Sequence, residues 1–255
     1  MKKTFRSLCA TSILALVLLF QGACLNAQGK RVVFIGDSIT DGNWGCVYNF
    51  KPTSAERSQT DFNHIYGHSY VMLVAADIQS KRPKAGHLFF NRGFSGHKLA
   101  DLEARWKEDV LDLEPDVVSI LVGVNDMGAY MNDRSKDKAP FDFDGWKERY
   151  RALLLRTKEK NPSVRLVLCT PFLAREGSTG QRVDYNDRYT MVSRMAGLVR
   201  ELCAETGATL IPFDELFRKL IDSEPVPCYW IWDGVHPTPA GHRKMADLWE
   251  KKVKL

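Results

Sequence analysis

The chain has 255 residues, 44% hydrophobic and 26% charged, with a formal net charge of +5. That is ordinary for one large folded domain with a sizeable core. Residues 1–27 carry three of the positive charges and no negative ones, so the remainder has a net charge of +2, too small a surplus to suggest a nucleic-acid partner.

At the amino end, Lys2, Lys3 and Arg6 precede an apolar run from Ser12 to Phe20 and then small and polar residues up to Ala27. This is the layout of a secretory signal, too short to span a membrane comfortably. The expectation is a signal peptide over 1–27 and one exported, periplasmic or extracellular domain over 28–255. Leu25-Asn26-Ala27 resembles a signal-peptidase site. Lipid attachment at Cys24 is the less favoured alternative, because Gln21 stands where that box wants an aliphatic residue.

Short β-branched or apolar runs follow at Arg31–Ile35, His87–Phe90, Val117–Val122, Arg165–Cys169 and Thr209–Ile211, separated by longer stretches of helical periodicity. Leu99, Leu102, Trp106, Val110 and Leu113 share one helical face. So do Phe143, Trp146, Tyr150, Leu153 and Leu154, and later Tyr185, Tyr189, Val192, Met195, Val199 and Leu202. The alternation predicts a parallel sheet covered by helices on both faces, with loops at Asn43–Gly67 and Asn132–Pro140. Cys169 and Cys203 fall in core patterns, whereas Cys46 and Cys228 lie in loops where export would permit a bridge between them.

The first strand runs into Gly36-Asp37-Ser38-Ile39-Thr40, placing a serine at the carboxyl end of a buried strand, where open α/β sheets keep their sites. Thr40 stands where a nucleophile elbow needs glycine, and a plain helix cap is the alternative role for Ser38. Near the other end, Asp233-Gly234-Val235-His236-Pro237 spaces a carboxylate three residues before a histidine. In one local turn the aspartate can hold one ring nitrogen while the other faces the serine. An oxyanion needs donors as well. Asn91-Arg92-Gly93 and Gly123-Val124-Asn125-Asp126 each follow a strand, so Gly93, Asn125 and the Ser38 amide are the candidates.

Gly36-Asp37-Ser38, Gly93, Gly123-x-Asn125-Asp126 and Asp233-x-x-His236 together resemble the four blocks of the SGNH, or GDSL-type, serine hydrolases. The resemblance implies a flavodoxin-like three-layer α/β/α sandwich with a five-stranded parallel sheet. It also implies a catalytic triad of Ser38, Asp233 and His236, an oxyanion hole of Ser38, Gly93 and Asn125, and no metal or organic cofactor. Ile39 replaces the usual leucine, a volume-conserving change.

Trp44, Tyr48, Phe50, Phe62 and Tyr66 follow Ser38, and Tyr229, Trp230 and Trp232 precede Asp233. Aromatic faces suit a sugar ring, an acyl chain or loop packing. The expected substrate is a small or polysaccharide acetyl ester contacted by Trp44, Trp230 and Trp232, with a lipase or thioesterase of the same family as the alternative. A metal-dependent phosphoesterase would need an Asp-x-His that is missing ahead of Gly36. A noncatalytic sugar-binding module would have no use for Ser38 and His236 together.

Overall fold

The computed structural model describes residues 29–46, 49–58, 62–224 and 226–255. The signal-like segment with Cys24, and Tyr48, lie outside them.

Five parallel strands, β1 (Arg31–Gly36), β2 (Leu88–Gly93), β3 (Val117–Leu121), β4 (Arg165–Cys169) and β5 (Thr209–Ile211), form one sheet in the order β2-β1-β3-β4-β5. This is the flavodoxin-like order. Val32 to Ile35 are fully buried without alternation, because helices cover both faces of the sheet. The helices are α1 (Ser38–Asp41), α2 (Ser54–Arg57), α3 (Tyr70–Lys81), α4 (Leu99–Ala104), α5 (Trp106–Asp109), α6 (Val124–Asn132), α7 (Phe143–Lys160), α8 (Gly177–Gly180), α9 (Tyr185–Thr206), α10 (Phe213–Ser223) and α11 (Pro239–Val253). One layer is built on α11 against α3 and α10, and the other on α4, α6, α7 and α9.

Register decides where the strands end. Gly36 pairs with Gly93 on one side and Leu121 on the other, so β1, β2 and β3 finish level at one edge of the sheet. Chain order reverses about β1, and a crevice at such a switch point is where open sheets bind ligands.

Three elements differ from the sequence reading. The β2 run extends past Phe90, because Asn91, Arg92 and Gly93 continue the ladder opposite Phe34, Ile35 and Gly36. Asn91 survives burial there because its Nδ2 faces the carbonyls of Thr40, Asp41 and Tyr66 at 2.9–3.1 Å. The Leu99–Leu113 stripe is not one helix. Arg105, at φ −110° and ψ 11°, separates α4 from α5 while its guanidinium reaches the Arg92 carbonyl at 2.8 Å, yet Leu99, Leu102, Trp106 and Val110 all stay buried. The Asn43–Gly67 loop contains α2, opened by a Thr53–Glu56 capping box.

Cys46 and Cys228 are free thiols, so the bridge considered between them is not formed. Among the described residues no helix is long and apolar enough to cross a membrane.

Candidate active site

β1 delivers Ser38 to the first position of α1, and the helix cap is its neighbour. Asp37 Oδ1 accepts the Ile39 amide at 3.0 Å, which leaves the Ser38 hydroxyl for other work. Asp37 is fully buried and its second oxygen has no partner, so burial pushes its pKa up to about 7.

Ser38 Oγ lies 2.8 Å from His236 Nε2, and His236 Nδ1 lies 2.7 Å from Asp233 Oδ2. Asp233 Oδ1 accepts the amides of Val235 and His236 at 2.9 and 2.7 Å, closing the turn its spacing predicts. Burial works against ionisation of Asp233, but the hydrogen bonds from His236 and Val235 outweigh it and lower its pKa. An ionised Asp233 accepts a proton-bearing Nδ1 and leaves the Nε2 lone pair facing Ser38. The loop is anchored from outside, since the Ala174 amide donates to the Gly234 carbonyl at 2.9 Å and the Thr179 amide to the Asp233 carbonyl at 3.0 Å.

Asn125, in the first turn of α6, donates from Nδ2 to the His97 carbonyl at 3.2 Å, which orients its amide and leaves its second N–H. Asp126 turns inward instead. It accepts the Leu99 amide at 3.2 Å and the Trp146 indole at 3.0 Å, and burial pushes its pKa up to about 6.

Gly93, expected as an oxyanion donor, has its amide engaged elsewhere. Its amide donates to Asn91 Oδ1 at 2.9 Å, and the residue is buried so tightly under α1 that an added Cβ would stand 2.3 Å from the Asp41 nitrogen. Gly96, which sequence reasoning did not single out, has an open amide. Gly96 is exposed, has φ +82° and open space around its α-carbon, and its N–H finds no partner among the described residues. It also adjoins His97, the residue that holds Asn125. The signal was a second glycine three residues on, in Gly93-Phe94-Ser95-Gly96, once β2 is seen to include the first.

Of the three tryptophans expected to contact substrate, only Trp232 is open. It is 58% exposed, and its ring stacks beside the His236 imidazole with centroids 6.1 Å apart. Trp44 is buried, its indole donating to the Gly93 carbonyl at 2.8 Å, because the edge of β2 needs a cover there. Trp230 is half-buried and packs against the core. Among the described residues no group of three or more His, Cys, Asp or Glu could hold a metal ion.

The sequence profile of the GDSL-like lipase/acylhydrolase family matches residues 34–244. An acetylxylan esterase of Geobacillus stearothermophilus is 30% identical over 228 residues, covering 89% of this chain and 94% of its own. Its crystal structure has a TM-score of 0.73 at 29% identity, over 89% of this chain and 95% of that one. A structure from Parabacteroides merdae, described by its solvers as a GDSL-like lipase, has a TM-score of 0.74 at 32% identity, covering 89% and 96%. Solved catalytic mutants of the acetylxylan esterase replace a serine, an aspartate and a histidine, the last two three positions apart. The chain belongs to the GDSL-like lipase/acylhydrolase family and is a hydrolase of carboxylic esters.

Proposed function

Starting from that family membership, we propose that the chain is an exported serine esterase that removes acetyl groups from carbohydrate through an acetyl-enzyme on Ser38. The observation that carries the reading is the unbroken relay Ser38–His236–Asp233, at 2.8 and 2.7 Å. His236 Nε2 takes the hydroxyl proton as Ser38 Oγ attacks the ester carbonyl, and Asp233 stabilises the imidazolium that forms. The tetrahedral oxyanion is met by the amides of Ser38 and Gly96 and by the free N–H of Asn125 Nδ2. Removing one such donor typically costs about 10²–10³ in kcat. His236 then protonates the departing sugar oxygen, and a water activated by the same nitrogen cleaves the acetyl-enzyme to acetate.

The substrate class rests on the acetylxylan esterase likeness together with Trp232, an exposed aromatic face beside the imidazole. Export rests on the charged and apolar pattern of residues 1–27.

The test compares wild type with Ser38→Ala for acetate release from acetylated xylan, pectin and peptidoglycan fragments, alongside short- and long-chain p-nitrophenyl esters. Ser38-dependent acetate release from one polysaccharide is expected and names the substrate. Cleavage of long-chain esters alone would replace this reading with a lipase.

A further inference from the structure

The relay accounts for proton transfer, but the loop that carries Gly96 needs its own support, because an exposed glycine has no side chain to anchor it. Its supports come from the Asn43–Gly67 segment, which the sequence shows only as a loop. Arg57, at the end of α2, is completely buried, and its Nη1 lies 2.5 Å from Asp41 Oδ1. Asp41 ends the helix that begins with Ser38. Its other oxygen, Oδ2, accepts both the amide of Ser95 at 2.9 Å and the Ser95 hydroxyl at 3.0 Å. The guanidinium also lies over the ring of Phe94 at 4.2 Å, and the imidazole of His97 stacks on that same ring with centroids 5.2 Å apart. The residues on either side of Gly96, Ser95 and His97, are thus both tied back to Arg57, and His97 in turn holds Asn125. Arg57 is itself fixed from behind, donating from Nε to the Lys51 carbonyl at 2.7 Å.

We propose that Arg57 and Asp41 are positioning residues that hold the Ser38 helix and the Gly96–His97 loop in one geometry, so that the oxyanion donors are in place before the ester arrives. This rests on the esterase reading above and deepens it. The physical case is that a buried ion pair is a poor way to gain stability. Replacing both charges with neutral groups is often harmless to folding, whereas leaving one charge unpaired is not. Such a pair gains its use from direction: a charged carboxylate accepts short, well-aligned hydrogen bonds from two groups of Ser95, and a planar guanidinium can stack and donate at once. Preorganised donors act only where they point, and a misplacement of about 1 Å can cost about 10²-fold in rate. Neither side chain touches the reacting atoms, so the effect is transmitted through Ser95, Phe94 and His97.

The test uses Arg57→Met, Asp41→Asn and the double variant, with Ser95→Ala as a mild perturbation at an exposed position. p-Nitrophenyl acetate kinetics, thermal midpoints and the affinity for phenylboronic acid, whose adduct on Ser38 places an oxygen in the oxyanion hole, are measured for each. Arg57→Met alone leaves Asp41 unpaired and is expected to lower the midpoint. The double variant, having no stranded charge, is expected to fold. It should lose about 100-fold in kcat with KM within about 2-fold, bind the boronate at least about 10-fold more weakly, and be little worse than the poorer single variant. Ser95→Ala, which keeps the backbone donor, should lose only a few-fold in kcat. Wild-type kcat and boronate affinity in the folded double variant overturn the proposal, as does a loss confined to KM. Absence of any esterase activity or boronate binding in the wild type would instead remove the serine esterase reading itself, and the positioning role with it.

Discussion

Ser38 and His236 stand 198 positions apart and meet at hydrogen-bond distance, while Asp233 reaches its histidine within one turn. The two halves of the relay therefore respond differently to substitution. Asp233→Asn keeps the turn, since the amide oxygen can still accept from Val235 and His236, but loses the charge that orients and stabilises the imidazolium. Steady-state kinetics should show kcat lower by about 10²–10⁴-fold with the fold intact. The two glycines after β2 separate stability from chemistry in the same way. Gly93→Ala forces a Cβ against the backbone of Asp41, so its thermal midpoint should fall markedly. Gly96→Ala meets open space and pays only for its positive φ, about 1–3 kcal/mol, so its main loss should be in kcat. If Gly93→Ala proved stable and inactive while Gly96→Ala stayed fully active, the assignment of the oxyanion amide would be reversed.

At the scale of elements, α3 and α11 are joined by a histidine outside the relay. His242 Nδ1 accepts the amide of Tyr70 at 3.2 Å, where α3 begins, and its ring is stacked on Tyr70. Burial, with the nearby His68 and His236, pushes the His242 pKa down from 6.5 to about 4. Between those values the unfolded chain binds a proton that the folded chain refuses, so this group makes stability fall as pH drops from about 6.5 to about 4. Asp37 acts in the opposite sense. Its folded pKa of about 7 against 3.8 means that the folded chain holds the extra proton, so its contribution is lost as pH rises through that window. Urea midpoints measured from pH 4 to 7 should therefore fall less steeply towards acid in His242→Asn than in wild type, and less steeply towards neutral pH in Asp37→Asn. Unchanged slopes in both variants would mean that neither group is held as these contacts imply.

At the scale of the molecule, the candidate active site is assembled from both ends of the described chain, so the last helix closes the sheet that presents the first loop. Trp249 on α11 is fully buried, packs on Phe34 of β1 with ring centroids 5.0 Å apart, and donates its indole N–H to Ser119 of β3 at 3.0 Å. Trp249→Ala should cost about 3–5 kcal/mol in urea unfolding, with activity lost in parallel with folding. A full loss of activity in a folded Trp249→Ala protein would contradict a purely structural role. Much of this organisation was legible in the sequence. Apolar runs and stripes carry their own period, so five strands and most core faces could be placed, and Asp233 and His236 interact within one turn, where spacing alone constrains geometry. Three features depended on packing between distant segments. Whether Gly93 or Gly96 offers a free amide depends on where the β1–β2 ladder stops, which β1 decides. Whether a tryptophan meets solvent depends on what needs covering: Trp44 closes the edge of β2, while Trp232 is left open beside His236. Arg57 looks like any loop cation until the fold lays it against Asp41, because nothing in a charged residue's neighbours along the chain says that it will be buried. The sequence by itself determined the fold class and the candidate relay, through local periodicity and spacing. Only the tertiary structure decided which backbone groups stay unpaired at the edge of the sheet, since hydrogen-bond satisfaction is settled by partners far away in the chain.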